Sequence, residues 1–355
     1  MDQLSALLGV TVTDRVPLTR DTGRWTEDQP WLTRLTLAGP PWTAIAKTAR
    51  EEDPSLLMNE TAALRFLDGG LAPRLYAATD GVVIMEDLGT GPSLDTVLLG
   101  ADPATATEAL LAYATALGRL HASTTGREEE YYALHPRPRR MYERISLVRH
   151  SLAESWRTLT ALTEARGHLP DVPGAARAQW HDLLAELAEP RPWLALSNGD
   201  ACPQNTRIVD GEIRFLDFDG AAFRHPGLDL AGLLMPFPAC TCWGELPADL
   251  VPRLLAAHRA EFAPEGDTLR AAALGSIAWA VLRAIRIPKL EAMDAPHPMG
   301  FSRRGQLVSA LRAAAVAGGE WWPELAGWLG EVAEGLEGRW GALGRWMYPA
   351  FEQND

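Results

Sequence analysis

Short apolar runs that end at turn-forming residues fill the first quarter of the chain. Residues 31–37 and 42–48 lie on either side of a Gly-Pro-Pro breaker, and residues 74–79 and 82–85 flank an Asp-Gly dipeptide that favours a two-residue hairpin turn. Runs of this length bounded by glycine and proline are typical of β-strands. The pattern therefore predicts two antiparallel hairpins in this region.

Helical spacing of apolar residues occurs between the hairpins, at 54–67, and dominates after residue 92. The pair Asp102-Pro103 combines a helix cap with a first-turn proline, and it predicts a helix that ends near Ser123. Further helices are predicted at 141–164, 175–187, 249–262, 268–285, 305–316 and 322–346.

This order of elements predicts an α+β fold with a small N-terminal β-sheet lobe and a larger helical C-terminal lobe. The chain has 355 residues, which is long enough for two such units. We place the boundary near 86–91, so that the first lobe covers residues 1–90 and the second covers residues 91–355.

One strand-like island, residues 194–218, interrupts the helical part. An Asp-Gly turn at 210–211 predicts a hairpin whose open end brings Asn205 and Asp217 together. An amide oxygen and a carboxylate are hard ligands of the kind that Mg²⁺ accepts. Asp200, five residues before Asn205, is expected to face the same point, where a second carboxylate is a candidate to orient and deprotonate a substrate hydroxyl.

Three further segments extend this pattern: Ala-Ile-Ala-Lys at 44–47, Leu-Gly-Arg-Leu-His-Ala at 117–122 and His-Pro-Gly-Leu-Asp-Leu-Ala at 225–231. Together with Gly199-Asp200, Asn205 and Asp217 they resemble the aminoglycoside phosphotransferase and choline kinase superfamily, relatives of the protein kinases. Order and spacing agree over about residues 40–235, and the last hundred or so residues match only in being helical.

The resemblance implies a protein-kinase-like fold and an enzyme that transfers the γ-phosphoryl group of ATP or GTP, with Mg²⁺, to a hydroxyl of a metabolite or antibiotic. It implies that Asp200 is the catalytic aspartate and that Asn205 and Asp217 bind the metal. Phosphoryl transfer suits such a site because alignment and charge neutralisation supply most of the rate.

For the nucleotide, the resemblance implies that Lys47 contacts the α- and β-phosphates and that Glu60 is its ion-pair partner. The backbone of Glu86, Asp87 and Leu88 is expected to hold the adenine.

Two positions depart from the family pattern. Asn198 stands where the family usually has histidine, and we expect this position to be structural. Residues 19–30, where a glycine-rich turn over the phosphates is expected, contain only Gly23. Phosphate binding is therefore expected to rest more on Lys47 and on magnesium.

Other polar residues near these motifs are expected to have structural roles. His121 lies on the apolar face of its helix, where a buried core histidine is expected rather than a proton carrier. Asp229 is expected to be a structural acid that caps a helix or binds loop amides. For Asp219 two alternatives stay open, a supporting acid behind the metal site and a part of the substrate floor.

Charge bears on the class of partner. Lys and Arg number 33 against 46 Asp and Glu, a net charge of −13, which disfavours binding to nucleic acid or to anionic membranes. The acidity favours a cationic or polyhydroxylated small-molecule substrate, with Asp219, Glu245 and Glu291 as acids that could rim the cleft. From position alone, substrate contacts are expected around Trp279 and Arg283 and in the segments 237–245 and 288–304.

Three cysteines, Cys202, Cys240 and Cys242, are too few and odd in number for a disulfide framework. We expect buried thiols in a reducing, cytoplasmic setting, with a zinc site as the alternative, although the usual two-residue gap between paired ligands is missing. No apolar run reaches the roughly 20 residues of a membrane helix, and no basic region precedes the N-terminal apolar run.

A nucleotide-binding pseudokinase that acts as a regulatory or scaffold module is the alternative to an enzyme. The intact set of Asp200, Asn205 and Asp217 favours the enzyme. A protein kinase is disfavoured because no activation segment is recognisable between Asp217 and Asp229. The sequence does not indicate an oligomeric state.

Overall fold

A computed structural model describes residues 2–21, 26–49, 55–135, 147–235, 237, 240, 242–294 and 300–352. Five antiparallel strands form a sheet with the order β1-β2-β3-β5-β4. Its strands are β1 (Val12–Asp21), β2 (Thr26–Leu37), β3 (Thr43–Thr48), β4 (Leu75–Ala78) and β5 (Val82–Glu86). The two predicted hairpins, β2–β3 and β4–β5, are confirmed.

A helix packs on each face of this sheet. On one face, Leu35, Ala44, Ala46 and Ile84 are buried against the short helix α1 (Gln3–Leu8). Alternation along β3 turns Ile45 and Lys47 to the other face, towards α2 (Ser55–Leu67), the helix predicted at 54–67. The strand period therefore decides which helix Lys47 meets.

Helices make up most of the remaining chain. They are α3 (Leu94–Leu98), α4 (Pro103–Thr124), α5 (Glu128–Leu134), a π-helical turn Leu147–Leu152, α6 (Ala153–Ala165), α7 (Gly174–Ala188), α8 (Gly227–Leu234), α9 (Leu250–Glu261), α10 (Thr268–Ala284), α11 (Ile287–Ala292), α12 (Arg303–Gly318) and α13 (Pro323–Trp340). The Asp102 side chain caps α4 by accepting from Ala104 N at 3.0 Å, as its Asp-Pro pair predicts.

The predicted helices are confirmed, with small differences at their ends. The last helix ends at Trp340 and not at 346, because Gly341 adopts a positive φ of 87° that ends a helix at little steric cost. Residues 141–146, the start of one predicted helix, lie outside the described residues. The α+β prediction is thus confirmed, whereas the boundary at residue 90 stays a prediction.

Two short pairings complete the described sheets and carry the chemistry-bearing loops. Strands β6 (Ala195–Ser197) and β9 (Ala222–Arg224) pair antiparallel, and β7 (Thr206–Val209) pairs with β8 (Glu212–Phe215). Between β6 and β7 lies the 3₁₀ turn Pro203–Asn205.

The helix α10 crosses α8 at very close range, and this contact sets its position relative to those loops. A Cβ built on Gly275 would lie 1.8 Å from Gly227 O, so only glycine permits the crossing. Farther along α10, Trp279 Nε1 donates to Leu228 O at 2.8 Å. The C-terminal turn of α10, with Arg283, is thereby held beside the loop that follows β6. Among the described residues, no helix is long and apolar enough to span a membrane.

Candidate active site

The β7–β8 hairpin forms in the predicted register. Asp210 and Gly211 occupy the turn with positive φ angles of 52° and 81°, as a two-residue turn of this kind requires. At the open end Leu216 N donates to Asn205 O at 2.8 Å. Asn205 and the neighbouring Asp217 are thus brought to one point. Asp217 itself has a φ of 59°, a sparsely populated conformation for a residue other than glycine.

Asp200 is held in the loop between β6 and the 3₁₀ turn. Asn205 Nδ2 donates to Asp200 O at 3.1 Å and to its Oδ2 at 3.2 Å. Asn198 closes the loop from the other side, because its Oδ1 accepts from Asp200 N at 3.3 Å and its Nδ2 donates to Asp200 O at 3.2 Å. These bonds fix one carboxylate oxygen of Asp200, while no donor within the described residues meets Oδ1.

Glycine is required next to Asp200. Gly199 has a φ of 88°, and a Cβ there would lie 2.2 Å from Gly220 O. The loop that carries Asp200 therefore contacts the backbone of the loop that follows Asp217, and a side chain at this position would force the two loops apart.

Burial raises the pKa of Asp200, and the nearby charge of Asp217 raises it further. The hydrogen bond from Asn205 and the charge of Arg283 act in the opposite direction. The net effect is a raised pKa, which makes the carboxylate a better proton acceptor than an exposed aspartate.

Lys47 joins the sheet to these loops. Its ammonium donates to Glu60 and to Asp217 Oδ1, the latter at 2.5 Å, and it lies 4.0 Å from Asp219 Oδ2. Burial alone would lower the pKa of Lys47, but the negative charges of Glu60, Asp217 and Asp219 outweigh it, so the pKa is raised. Only 7% of the Lys47 side chain and 2% of the Glu60 side chain are exposed, so the ion pair is shielded from solvent.

Glu86, Asp87 and Leu88 leave the sheet at the end of β5. The Asp87 carboxylate accepts from Arg34 Nε at 2.7 Å, and Glu86 Oε2 lies 3.3 Å from Arg214 Nη2. Within the described residues the backbone groups of Asp87 and Leu88 form no hydrogen bonds. Unpaired donors and acceptors at the end of a sheet strand are suited to bind the edge of a base.

Behind the Asp200 loop lies a buried polar network that supports it. Asp229 accepts from Ser197 Oγ at 2.7 Å and lies 3.1 Å from His121 Nε2, and His121 Nδ1 is 2.9 Å from His258 Nε2. Ser197 Oγ in turn accepts from Gly199 N at 3.0 Å. His121 is fully buried, as expected for a core histidine, and Asp229 has the position of a structural acid.

The acids that were expected to rim the cleft are not equivalent. Only Asp219 lies near Lys47, and its backbone O accepts from Asn59 Nδ2 at 2.7 Å. Glu245 Oε2 lies 2.6 Å from Arg345 Nη2, and Glu291 Oε2 lies 2.5 Å from Arg166 Nη1. Arginines therefore already neutralise Glu245 and Glu291.

The expectation of three free thiols is wrong for two of the cysteines. Cys202, two residues after Asp200, forms a disulfide with Cys240, and Cys242 is a buried free thiol whose sulfur lies 4.0 Å from that of Cys202. The 38-residue separation hides the pairing in the sequence, because only tertiary packing brings the segment after α8 onto the Asp200 loop. The three sulfurs lie within 4.8 Å of one another, but the disulfide leaves only one thiol for a metal.

Sequence reasoning named Arg283 by position and included Lys289 and Arg303 only within the segment 288–304, and it missed Arg286. Arg286 directly precedes α11, Lys289 lies within α11 and Arg303 begins α12, and all three line one cavity together with Arg283. Recurrent cations between residues 283 and 304 are a signal that could have drawn attention to this place in an otherwise acidic chain.

The donor set at the open end of the hairpin fits Mg²⁺. Asn205 uses its Nδ2 for Asp200, which leaves its Oδ1 without a donor among the described residues. Asp217 uses Oδ1 for Lys47 and has Oδ2 left. Two oxygen ligands with room for phosphate oxygens and water match the preference of Mg²⁺.

Comparison with known proteins adds a family match. A family model described as phosphotransferase enzyme family matches residues 23–284, about three quarters of the chain. The match begins after β1 and covers β2 to β5, the Asp200 loop and α10 to its end. No curated protein sequence matches the chain.

Three of the solved structures with a similar fold serve as examples. A protein from Ralstonia eutropha, provisionally assigned as an aminoglycoside phosphotransferase, has a TM-score of 0.55 at 14% identity and covers 93% of this chain and 96% of its own. The streptomycin-ATP-APH(2")-IIa ternary complex has a TM-score of 0.51 at 13% identity, with 82% and 92% covered. The macrolide 2'-phosphotransferase MphH from Brachybacterium faecium has 0.50 at 18% identity, with 86% and 96% covered. At these identities the similarity concerns the fold alone.

Proposed function

The chain belongs to the phosphotransferase enzyme family, and from this premise we propose that it is a small-molecule kinase that transfers the γ-phosphoryl group of ATP or GTP to a hydroxyl. The observation that carries the proposal is the convergence of Lys47, Asp200, Asn205 and Asp217 at one point between the sheet and the helical part. We find no second group of residues in the described part of the chain that combines a lysine, a candidate base and two candidate metal ligands in this way.

Lys47 is proposed to contact the α- and β-phosphates. In the structure its ammonium lies between Glu60 and Asp217, so it is already directed to the metal-side carboxylate. Glu60 would keep the ammonium in place when phosphates bind. The backbone groups of Glu86, Asp87 and Leu88 at the end of β5 are proposed to hold the base.

Asn205 and Asp217 are proposed to hold Mg²⁺ through Asn205 Oδ1 and Asp217 Oδ2. The bound ion would supply charge neutralisation for the β- and γ-phosphates. The other carboxylate oxygen of Asp217, Oδ1, keeps its contact to Lys47. Asp217 would thus hold both the metal ion and the lysine ammonium next to the phosphates.

Asp200 is proposed to be the catalytic aspartate. Its Oδ2 is fixed by Asn205 and its Oδ1 is available to a substrate hydroxyl. In the transfer the hydroxyl oxygen forms a bond to the γ-phosphorus, the bond from that phosphorus to the β-γ bridging oxygen breaks, and the hydroxyl proton passes to Asp200. Burial raises the pKa of Asp200, which makes its carboxylate a better proton acceptor than an exposed aspartate.

A pseudokinase scaffold is less favoured, because such a protein would not need an aspartate aligned by Asn205 with a free oxygen. The deciding experiment is a screen of hydroxyl compounds with Mg²⁺ and ATP or GTP, read as ADP or GDP release. Calorimetry of nucleotide binding to the same preparation distinguishes the two functions. Nucleotide binding without transfer to any acceptor would favour the scaffold, and the absence of both would remove the kinase proposal.

A further inference from the structure

Four cationic side chains converge on one cavity of about 300 Å³ in the helical part. Arg283 ends α10, Arg286 and Lys289 lie at and within α11, and Arg303 begins α12. The cavity formed by these four residues, with Gln306 and an apolar wall, is called the basic pocket here. Its volume is at the small end of the range typical of small-molecule sites.

The charge of the basic pocket is not balanced by protein acids. None of the carboxylates in the described part of the chain forms an ion pair with Arg283, Arg286, Lys289 or Arg303. The acid on the same helix as Lys289, Glu291, is paired with Arg166 on another side. The basic pocket is therefore a local concentration of positive charge in a chain whose net charge is −13.

Arg283 shows what this concentration costs. Its Nε is buried without a hydrogen-bond partner, and buried donors without partners are rare because each loses its bonds to water. Burial and the charges of Arg286 and Arg303 together lower the pKa of Arg283 to about 10, although the charge of Asp200 acts against them. Arginines forced together at such a cost indicate that a negative group belongs between them.

A purely structural explanation covers only part of the cluster. Arg283 lies in the last turn of α10, where the helix dipole favours a cation. Arg303 is the first residue of α12, where the dipole disfavours one. Aromatic rings orient both guanidiniums, since Arg283 lies 5.2 Å from the centroid of Trp279 and Arg303 lies 5.2 Å from that of Phe301. The dipole does not explain why they converge.

The basic pocket adjoins the candidate catalytic carboxylate. The guanidinium of Arg283 lies over the ring of Trp279. Trp279 also lines a second, small cavity together with Asp200 and Phe237. The charge of Arg283 also acts on Asp200 and lowers its pKa against the other influences. A molecule whose hydroxyl meets Asp200 would thus extend past Trp279 towards the four cations.

We propose that the basic pocket binds an oxyanion of the phosphoryl acceptor, so that the substrate is a small hydroxyl compound bearing a carboxylate or phosphate. This inference rests on the proposed function and names the substrate class of the same site. The inference replaces the expectation of a cationic substrate. The basic pocket is lined by cations despite the negative net charge of the chain, and two of the three acids expected to bind a cation, Glu245 and Glu291, are paired with arginines.

The first test measures binding with one scaffold in four charge states: glucose, glucosamine, glucuronate and glucose 6-phosphate. Tryptophan fluorescence and calorimetry would follow binding, since Trp279 lies under Arg283. We expect at least one of the two anionic sugars to bind about tenfold or more tightly than glucose, and glucosamine to bind no better than glucose. Which of the two binds distinguishes a carboxylate from a phosphate. Equal affinities, or no anion binding up to about 20 mM, would overturn the proposal.

The second test uses variants of the basic pocket. Arg303→Gln and Arg286→Gln should each weaken anion binding about tenfold and raise the KM of an anionic acceptor similarly, with kcat within about threefold. Arg286 is exposed, and its side chain forms no hydrogen bond or ion pair with the described residues, so its variant is expected to fold even if the Arg303 variant does not. Arg253→Gln, which removes an exposed arginine from α9, is the matched control and should change neither.

The outcomes separate this inference from the proposed function. If the protein phosphorylates only cationic or neutral acceptors, the proposed anionic substrate class is wrong and the proposed kinase function stands. If the variants weaken nucleotide binding and leave acceptor KM unchanged, the basic pocket serves the nucleotide and the inference is wrong. Anion binding that depends on Arg303, in a protein that neither binds nor turns over nucleotide, would contradict the kinase and keep the oxyanion site.

Discussion

Replacement of Lys47 by methionine tests whether the buried ion pair holds the site together. The chain contains only two lysines, Lys47 and Lys289, and its other basic side chains of this type are arginines. A lysine at position 47 is therefore unusual for this chain. Methionine preserves most of the side-chain length and removes the charge. It would leave the Glu60 carboxylate, with 2% of its side chain exposed, without its cation.

The cost follows from that burial. Removing one partner of a buried pair destabilises by about 3–5 kcal/mol, because the remaining charge stays out of water. Protonation of Glu60 limits this cost. Burial already raises the pKa of Glu60, and without Lys47 the main opposing influence is lost. In the variant the folded state then keeps a proton that the unfolded state has released, so stability falls as pH rises above the usual glutamate pKa.

Urea unfolding of wild type and Lys47→Met between about pH 5 and pH 8 would measure this. We expect the loss of unfolding free energy to be smallest at the acidic end and to grow towards pH 8, where it should reach a few kcal/mol. The double variant Lys47→Met/Glu60→Gln should recover most of that stability without recovering nucleotide affinity. Arg253→Gln, which changes an exposed arginine on α9, is the control. A loss below about 1 kcal/mol at pH 8, or one that is independent of pH, would refute the reasoning.

Three further predictions concern the loops around the site. Asp200→Asn should leave nucleotide affinity nearly unchanged and lower turnover by about 10²-fold or more, whereas Asp217→Asn should weaken Mg²⁺-nucleotide binding. Calorimetry and turnover assays would measure both effects, and the opposite pattern would contradict the roles proposed for the two aspartates. Thermal stabilisation by ATP or GTP should require Mg²⁺, and equal stabilisation with a chelator present would contradict the proposed metal site. Gly199→Ala should destabilise far more than Gly126→Ala in thermal unfolding, because both have a positive φ but only Gly199 faces backbone at 2.2 Å, and similar effects would argue against the tight contact.

Features that could be predicted from the sequence depend on neighbours in the chain. The Asp210-Gly211 turn fixes the register of its own hairpin, and the register alone brings Asn205 beside Asp217. The cap at Asp102 likewise acts on adjacent backbone. Local conformational preference was sufficient in each case.

Features that were missed depend on packing between distant segments. The disulfide between Cys202 and Cys240 forms because the segment after α8 returns to the Asp200 loop, which no spacing rule indicates. The acids Glu245 and Glu291 looked available in sequence, but Arg345 and Arg166 reach them from far along the chain. Whether a charge is free to meet a ligand is decided by such partners.

Net charge is a poor guide to a substrate for the same reason. A field summed over the whole chain is screened within about 8–10 Å at ordinary salt, so a ligand in a cavity responds to the few charges that line it. Near Asp200 those charges include Arg283, which forms no ion pair with a carboxylate of the described residues and whose buried Nε has no hydrogen-bond partner there. Substrate class is therefore better argued from the charges that line the basic pocket, which are positive and support the anionic acceptor proposed above.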